Sequence, residues 1–228
     1  KNTIMVFFRE YNTPRRDKNT RNKYITTDLI GGLGNIMWLY QSVHGIAKYN
    51  NMIPVFDKKS YRYKVLQNMF GVDDQSSDEI KFTQQTTYDD MCYKNGKCDL
   101  PKIKESTKIG TYLQSIHFFR PLGKTLKDFY TIKTKHKQDA LRLIKNTEAC
   151  IHVRIFPESH LKLKKNICPT MKMVIDIVME FANQSKRIKI FSNDLDFVKK
   201  HVHTNSWVSF ADSDNSKTNK YRDFAALT

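Results

Sequence analysis

The sequence predicts an α/β fold built on parallel sheets. Strand-like and helix-like runs alternate in both halves of the chain. A glycine turn, Gly31-Gly32-Leu33-Gly34-Asn35, separates the first well-marked strand from the first well-marked helix. A second strand–helix series then restarts at Cys150. Alternation of this kind is the pattern of a parallel sheet covered by helices.

Taken in order, Thr3 to Phe8 is a short apolar strand candidate, and residues 9–23, with Pro14, read as a polar loop. Tyr24 to Leu29 is the next strand. Beyond the glycine turn, Ile36, Leu39, Tyr40, Val43 and Ala47 recur at helical spacing and define one buried face of a helix reaching Tyr49. Ile53 to Phe56 is a strand stopped by Asp57 and Lys58. From Val72 to Lys108 the chain is polar and irregular, an insertion or long loop. Lys108 to Ser115 is strand-like, and His117 to Arg120 is an aromatic and basic cluster suited to lining a cleft. Thr134 to Lys145 reads as a helix with Ala140, Leu141 and Ile144 on its apolar face.

The polar stretch from Asn146 to Ala149 marks a domain boundary, giving an N-terminal domain over 1–146 and a C-terminal one over 147–228. In the second, Cys150 to Phe156 is a strand. Pro169 opens a helix carrying Met173, Ile175, Val178 and Phe181, a residue suited to a first helical turn. Arg187 to Phe191 is a strand, Ser192 to Asp194 a turn, Leu195 to His201 a helix, and Trp207 to Phe210 strand-like. The β-α-β-α-β order is that of half a doubly wound domain.

The 228 residues suit one large or two small domains, and 39% hydrophobic content suffices for a core. The formal charge of +16 favours anionic partners such as nucleic acid, acidic lipid or nucleotide phosphates; a solvated lysine-rich face is the alternative. No helix-turn-helix, zinc finger or RNA-binding signature is present, so no nucleic-acid partner is expected. Basic stretches such as Arg15-Arg16-Asp17-Lys18 and Lys162 to Lys165 lie in loops. No apolar run approaches a membrane span. Of the four cysteines, Cys92 and Cys98 flank a turn-like Asn95-Gly96 and have the spacing of a small disulfide loop in an oxidising compartment. No CxxC pair is present, and no metal site is expected. Cys150 reads as a small buried hydrophobe, and Asn183-Gln184-Ser185 is a lone glycosylation sequon.

Three motifs have chemical content. Glycines in the turn at 31–34 let backbone approach a ligand closely, and amides at a following helix N-terminus attract anions. The spacing matches neither GxGxxG nor a P-loop, and a turn without ligand is the alternative. In His152-Val153-Arg154 alternate residues share a strand face, and Arg154 offers a planar fork suited to phosphate oxygens. The alternative is a satisfied histidine and a surface arginine. Ser192-Asn193-Asp194 follows a strand's carboxyl end, where open α/β sheets bind ligands, and equally reads as a helix N-cap.

In this order the motifs resemble the α-1,2-fucosyltransferase family (glycosyltransferase family 11), in particular its divergent nematode-type members. Gly31 to Asn35 with the helix to Tyr49 is similar to the family's GGLGN turn. Cys150 to Arg154 is similar to the first half of its HxRRxD strand, and Phe191-Ser192-Asn193-Asp194 to its F-S/G-D-D turn. Tyr112 to Phe119 resembles its Y-x-Q-S-x-K-Y-F stretch, and Tyr221 to Leu227 the helix before its last motif.

The resemblance implies a GT-B-like fold of two facing Rossmann-like domains, the first on the acceptor side and the second, incomplete here, binding nucleotide sugar. It implies an inverting transfer of L-fucose from GDP-fucose to a galactose-type hydroxyl of a glycan, with no obligatory metal. Arg154 is then expected to bind the donor phosphates, His152 to orient the site, and Ser192 and Asp194 to hold the nucleoside. Gly31, Gly32, Gly34 and Asn35 are expected to shape the opposite wall. The expected setting is the lumenal side of the Golgi, with an N-terminal anchor outside this chain. The chain also stops before the family's final Ser/Phe/Trp motif.

The departures are specific. The family's second Arg is Ile155, its Asp is replaced by Pro157, and the Gln or His after GGLGN is Ile36. Lys162 or His160 are the basic residues available to compensate, and Glu158 and Asp194 the available carboxylates. A catalytically degenerate paralogue that binds nucleotide or glycan without transfer is the alternative function, and an unrelated basic binding module a third.

Overall fold

The structure is a computed structural model that describes residues 22–86, 100–110, 113–123, 129–155, 171–183, 187–202, 206–211 and Phe224. The expected strand at Thr3 to Phe8, the Cys92/Cys98 pair, Tyr112, Pro157, Glu158, His160, Lys162, Cys168 and Pro169 lie outside these residues. So does the expected helix at 221–227, apart from Phe224. The chain forms two compact units, Lys1–Thr131 and Ile132–Thr228.

The first unit contains β1 (Tyr24–Thr27), α1 (Leu33–Tyr49), β2 (Ile53–Phe56), α2 (Tyr61–Phe70), β3 (Gln75–Ser76), β4 (Gln84–Thr86), β5 (Thr107–Ile109) and α3 (Ile116–Phe119), the last followed by a 3-10 turn over Arg120–Leu122. Its sheet runs β3-β2-β1-β5-β4, with every adjacent pair parallel. Leaving β1, the chain fills one side with β2 and β3, then crosses to the other side for β4 and β5. β1 and β5 therefore flank the switch point, beyond whose carboxyl ends open α/β sheets bind ligands.

α1 buries Ile36, Leu39, Tyr40, Val43 and Ala47, the face its periodicity predicts. These residues join Ile25, Phe56, Tyr63, Leu66, Ile109 and Leu113 in one core. Ser60 caps α2 by accepting from the Tyr63 amide at 3.1 Å, and Gly71 ends it with φ of 72°. The strand expected over Lys108 to Ser115 runs instead over Thr107–Ile109, and Leu113 lies in the left-handed region at φ 46°. Leu113 remains fully buried there, and its carbonyl accepts from Ser42 Oγ of α1 at 3.0 Å.

α1 also approaches the backbone of α3. A Cβ on Gly45 would overlap the Phe118 carbonyl oxygen and lie 2.5 Å from the Phe119 Cα. Neither atom can yield as a flexible side chain would. Gly45→Ala is expected to destabilise the protein by about 3 kcal/mol through overpacking, read as a lowered thermal midpoint. An unchanged midpoint would show that α1 and α3 do not pack this closely.

The second unit contains α4 (Thr134–Leu143), β6 (Ala149–Val153), α5 (Met171–Asn183), β7 (Ile188–Ser192), α6 (Leu195–His201) and β8 (Val208–Phe210). Its sheet runs β6-β7-β8, all parallel. Val153, Val178, Ile188, Ile190, Val198, Val202 and Val208 form its core. The units divide fifteen residues before the boundary read from composition, so α4 goes with the second. The stretch at 146–149 is polar, yet it is tied into that unit. The Glu148 and Ala149 amides both donate to the Arg187 carbonyl, at 2.7 and 3.2 Å, and the Arg187 amide donates to Glu148 Oε2 at 2.8 Å.

Candidate functional site

The candidate residues fall into two groups, one in each unit. In the first unit the glycine turn links β1 to α1. Gly31 has φ of 81°, a conformation that favours glycine, and a Cβ there would overlap the Asn35 side chain folded back beneath it. Gln114 Nε2 donates to Asn35 Oδ1 at 2.9 Å, and Arg62 Nε lies 3.4 Å from the Gly31 carbonyl. The GGLGN turn and the Y-x-Q-S-like stretch, 79 residues apart, are thus joined by one hydrogen bond.

Gly32 is the N-cap of α1 in extended conformation and supplies no side-chain cap; no acidic residue stands in the first turn. The first intrahelical bond runs from the Ile36 amide to the Gly32 carbonyl. The amides of Leu33, Gly34 and Asn35 therefore have no partner within the helix, at its positive end. A Cβ added at Gly32 or Gly34 would meet nothing within 4 Å. The folded chain itself therefore does not require glycine at these two positions. Beside the turn, Lys108 Nζ of β5 lies 2.9 Å from Asp28 Oδ2 at the end of β1. A hollow of about 670 Å³ lined by Tyr24, Gln75, Asp78, Lys81 and Ser106 opens at the other end of β1 and β5, away from the carboxyl ends.

Beneath α1 lies a half-buried acid absent from the sequence reading. Asp74 Oδ2 accepts from Tyr40 Oη at 2.6 Å and from Tyr63 Oη at 3.1 Å, while Oδ1 lies 3.0 Å from His44 Nε2. Burial pushes the Asp74 carboxyl up, but hydrogen bonds from His44 and Tyr40 outweigh it and the net shift is down. Burial, followed by the hydrogen bond to Asp74, pushes the Tyr40 phenol far above its usual range. Asp74 is a structural anchor for α1, the helix that presents the glycine turn.

In the second unit the parallel register pairs His152 with Phe191 and Val153 with Ser192, so β6 and β7 end level. Arg154 follows β6, and Asn193 and Asp194 follow β7, all at the carboxyl edge of the sheet. Along the end of β6 exposure alternates, with His152 and Arg154 exposed and Val153 buried. Asp194 caps α6, its Oδ1 accepting from the Phe197 amide at 3.0 Å. Ser192 Oγ accepts from the Asp194 amide at 3.0 Å. Both therefore spend one oxygen on the turn, as the N-cap alternative anticipates. Ile155 packs against the core of this unit. Cys150 is a free thiol, partly buried, and burial pushes it up, away from nucleophilic use.

Asn193 lies within the Ser192-Asn193-Asp194 motif of the sequence, which gives roles to its two neighbours and none to it. Its Oδ1 accepts from the Ile155 amide at 2.8 Å, and its Nδ2 donates to the Ile155 carbonyl at 2.9 Å. Gln114 and Arg62 were likewise unassigned; Gln114 lay within a motif already noted, whereas nothing marked Arg62. Among the described residues no group of three His, Cys, Asp or Glu side chains is placed to hold a metal ion. No helix there is long and apolar enough to cross a membrane.

No family model matches this chain, and no curated protein matches it by sequence. Solved structures do. The chain is similar to the fucosyltransferase NodZ from Bradyrhizobium, at 11% identity over 91% of this chain and 83% of that one, with a TM-score of 0.51. It is similar to the NodZ alpha-1,6-fucosyltransferase soaked with GDP-fucose, at 10% identity over 91% and 82%, with a TM-score of 0.52. It is also similar to that enzyme co-crystallised with GDP, at 12% identity and a TM-score of 0.50. At such identities the likeness shows the fold: α/β, of the GT-B-like class the resemblance implied.

Proposed function

We propose that this chain transfers L-fucose from GDP-fucose to a hydroxyl of a glycan, with inversion at the sugar carbon. The observation that carries this reading is the carboxyl edge of the second sheet, where Arg154 stands beside the Ser192-Asn193-Asp194 turn. That is where an open α/β sheet receives a nucleotide. Support comes from the similar solved structures, one soaked with GDP-fucose and one crystallised with GDP.

The chemistry follows from this placement. An acceptor hydroxyl oxygen attacks the anomeric carbon as its bond to the phosphate oxygen breaks; the hydroxyl proton passes to a departing phosphate oxygen or to water, and negative charge develops on the departing GDP. Fixed cationic donors stabilise such charge strongly in a water-poor site. Arg154 fills that role with paired N–H groups, so the reading requires no metal. His152, on the same exposed side of β6, orients the donor. Ser192 and Asp194 retain acceptor capacity for the nucleoside beyond the one oxygen each uses locally. Gly31 and Gly32 form the turn at the N-terminus of α1, where the amides of Leu33, Gly34 and Asn35, without partners within the helix, suit the same anionic class of ligand in the first unit.

The α-1,2 linkage and the galactose-type acceptor rest on the sequence resemblance, whereas a similar solved enzyme is α-1,6. Paired acceptors presenting a secondary 2-hydroxyl or a primary 6-hydroxyl separate the two. The Golgi lumen is part of the same proposal.

Binding without transfer is the second reading, favoured by Ile155, an apolar residue at a motif arginine. Calorimetric titration with GDP-fucose, GDP and UDP tests both. Saturable binding of GDP-fucose and GDP but not UDP is expected. Product formation then decides between transfer and binding alone, and no binding of either guanine ligand would overturn both.

A further inference from the structure

Asn193 touches Ile155, and these are two positions at which the chain departs from the charged motifs it resembles. HxRRxD has arginine where Ile155 stands, and F-S/G-D-D has aspartate where Asn193 stands. The two lie 38 residues apart in sequence, and in the structure both main-chain groups of one are held by the side chain of the other.

The geometry has a simple origin. The β6–β7 ladder ends at the Val153–Ser192 pair, because β7 turns away at Asn193 to enter α6. Residue 155 has no further rung of main chain to meet. The Asn193 amide supplies that rung, accepting at Oδ1 and donating from Nδ2. Arg154 is therefore held from both sides, by the ladder at Val153 and by the fork at Ile155. A carboxylate at 193 has no proton for the Ile155 carbonyl. An arginine at 155 would have to abandon the core against which Ile155 packs.

We infer that Asn193 is the positioning residue that aims Arg154 at the donor. The inference rests on the reading of Arg154 as the phosphate-binding residue. It accounts for Ile155 without loss of function, since the fork engages only the backbone of residue 155.

The test combines a mutant cycle with a ligand-free readout. Asn193→Ala should weaken GDP binding about tenfold, the scale of the hydrogen bonds removed. In an Arg154→Ala background the same change should have no further effect. Additive losses would overturn the positioning role, because a structural contribution from Asn193 would act whether or not Arg154 is present. Asn193→Asp should also weaken binding, because a carboxylate keeps the acceptor for the Ile155 amide but has no proton for its carbonyl; binding equal to wild type would overturn the role of the fork. Amide hydrogen exchange needs no ligand. Ile155 should exchange at least about tenfold faster in Asn193→Ala, with Ile190 in β7 unchanged as a check on folding. Equal exchange at Ile155 would remove the fork itself. Failure of the wild-type chain to bind GDP, with Ile155 protected, would instead count against the functional reading alone.

Discussion

Arg154→Ala is expected to lower fucosyl transfer by at least about a hundredfold, the scale seen when one fixed donor is removed from developing charge. GDP affinity should fall as well, since each charge-assisted hydrogen bond contributes about 1.5–3 kcal/mol. Arg154→Lys separates charge from shape. An ammonium keeps the positive charge but loses the planar fork, so partial recovery of binding with poor transfer is the expected result. The thermal midpoint should change little, because Arg154 is exposed and follows the last residue of β6. Full activity in Arg154→Ala would remove this residue from the donor site and, with it, the assignment of the second sheet's carboxyl edge.

That edge was legible in the sequence because its signals are local. His152 and Arg154 end an apolar run, and Ser192 to Asp194 lie between a strand and a helix. The Asn193 fork was not legible, since it exists only when β6 and β7 are in the register that pairs Val153 with Ser192. The same division runs through the first unit. α1 declares itself by five apolar residues at helical spacing, all of them buried. β3 and β4 do not: Gln75–Ser76 and Gln84–Thr86 are polar, very short, and lie at the two edges of the sheet. Edge strands take their pairing from neighbours, here Val55 and Thr107, rather than from an apolar pattern of their own. α2 went unassigned although Ser60 and Gly71 bracket it with an N-cap and a left-handed C-cap, so its boundaries were readable even where its apolar face was weak.

Asp74→Ala is the substitution expected to cost most in stability. The carboxylate ties α1 to α2 through Tyr40 and Tyr63, and its own amide donates to Tyr63 Oη at 2.7 Å. Its side chain is only 9% exposed. Removing it leaves the hydroxyl protons of two buried tyrosines without their acceptor, and a histidine nitrogen with no other hydrogen-bond partner. The loss should be about 3–5 kcal/mol, since each buried polar group left unsatisfied costs about 1–3 kcal/mol. Asp74→Asn retains the shape but one acceptor oxygen in place of two, and should lie between wild type and alanine. The pH dependence has a definite sign. Against the upward push of burial, hydrogen bonds from His44 and Tyr40 hold the folded-state carboxyl below the usual carboxylate range, so its contribution is fully present above the unfolded value and is lost as pH falls through the folded one. Denaturant melts at pH 7 should therefore separate wild type from Asp74→Asn widely, and melts near pH 3 should bring them closer together. A gap that is constant across that range would show that the ionised carboxylate is not what holds α1 in place. The consequence reaches the glycine turn, because α1 presents Gly32 and Gly34 at its first turn. At pH 7, Asp74→Asn should weaken whatever anion binding that turn supports, even though residue 74 does not belong to it.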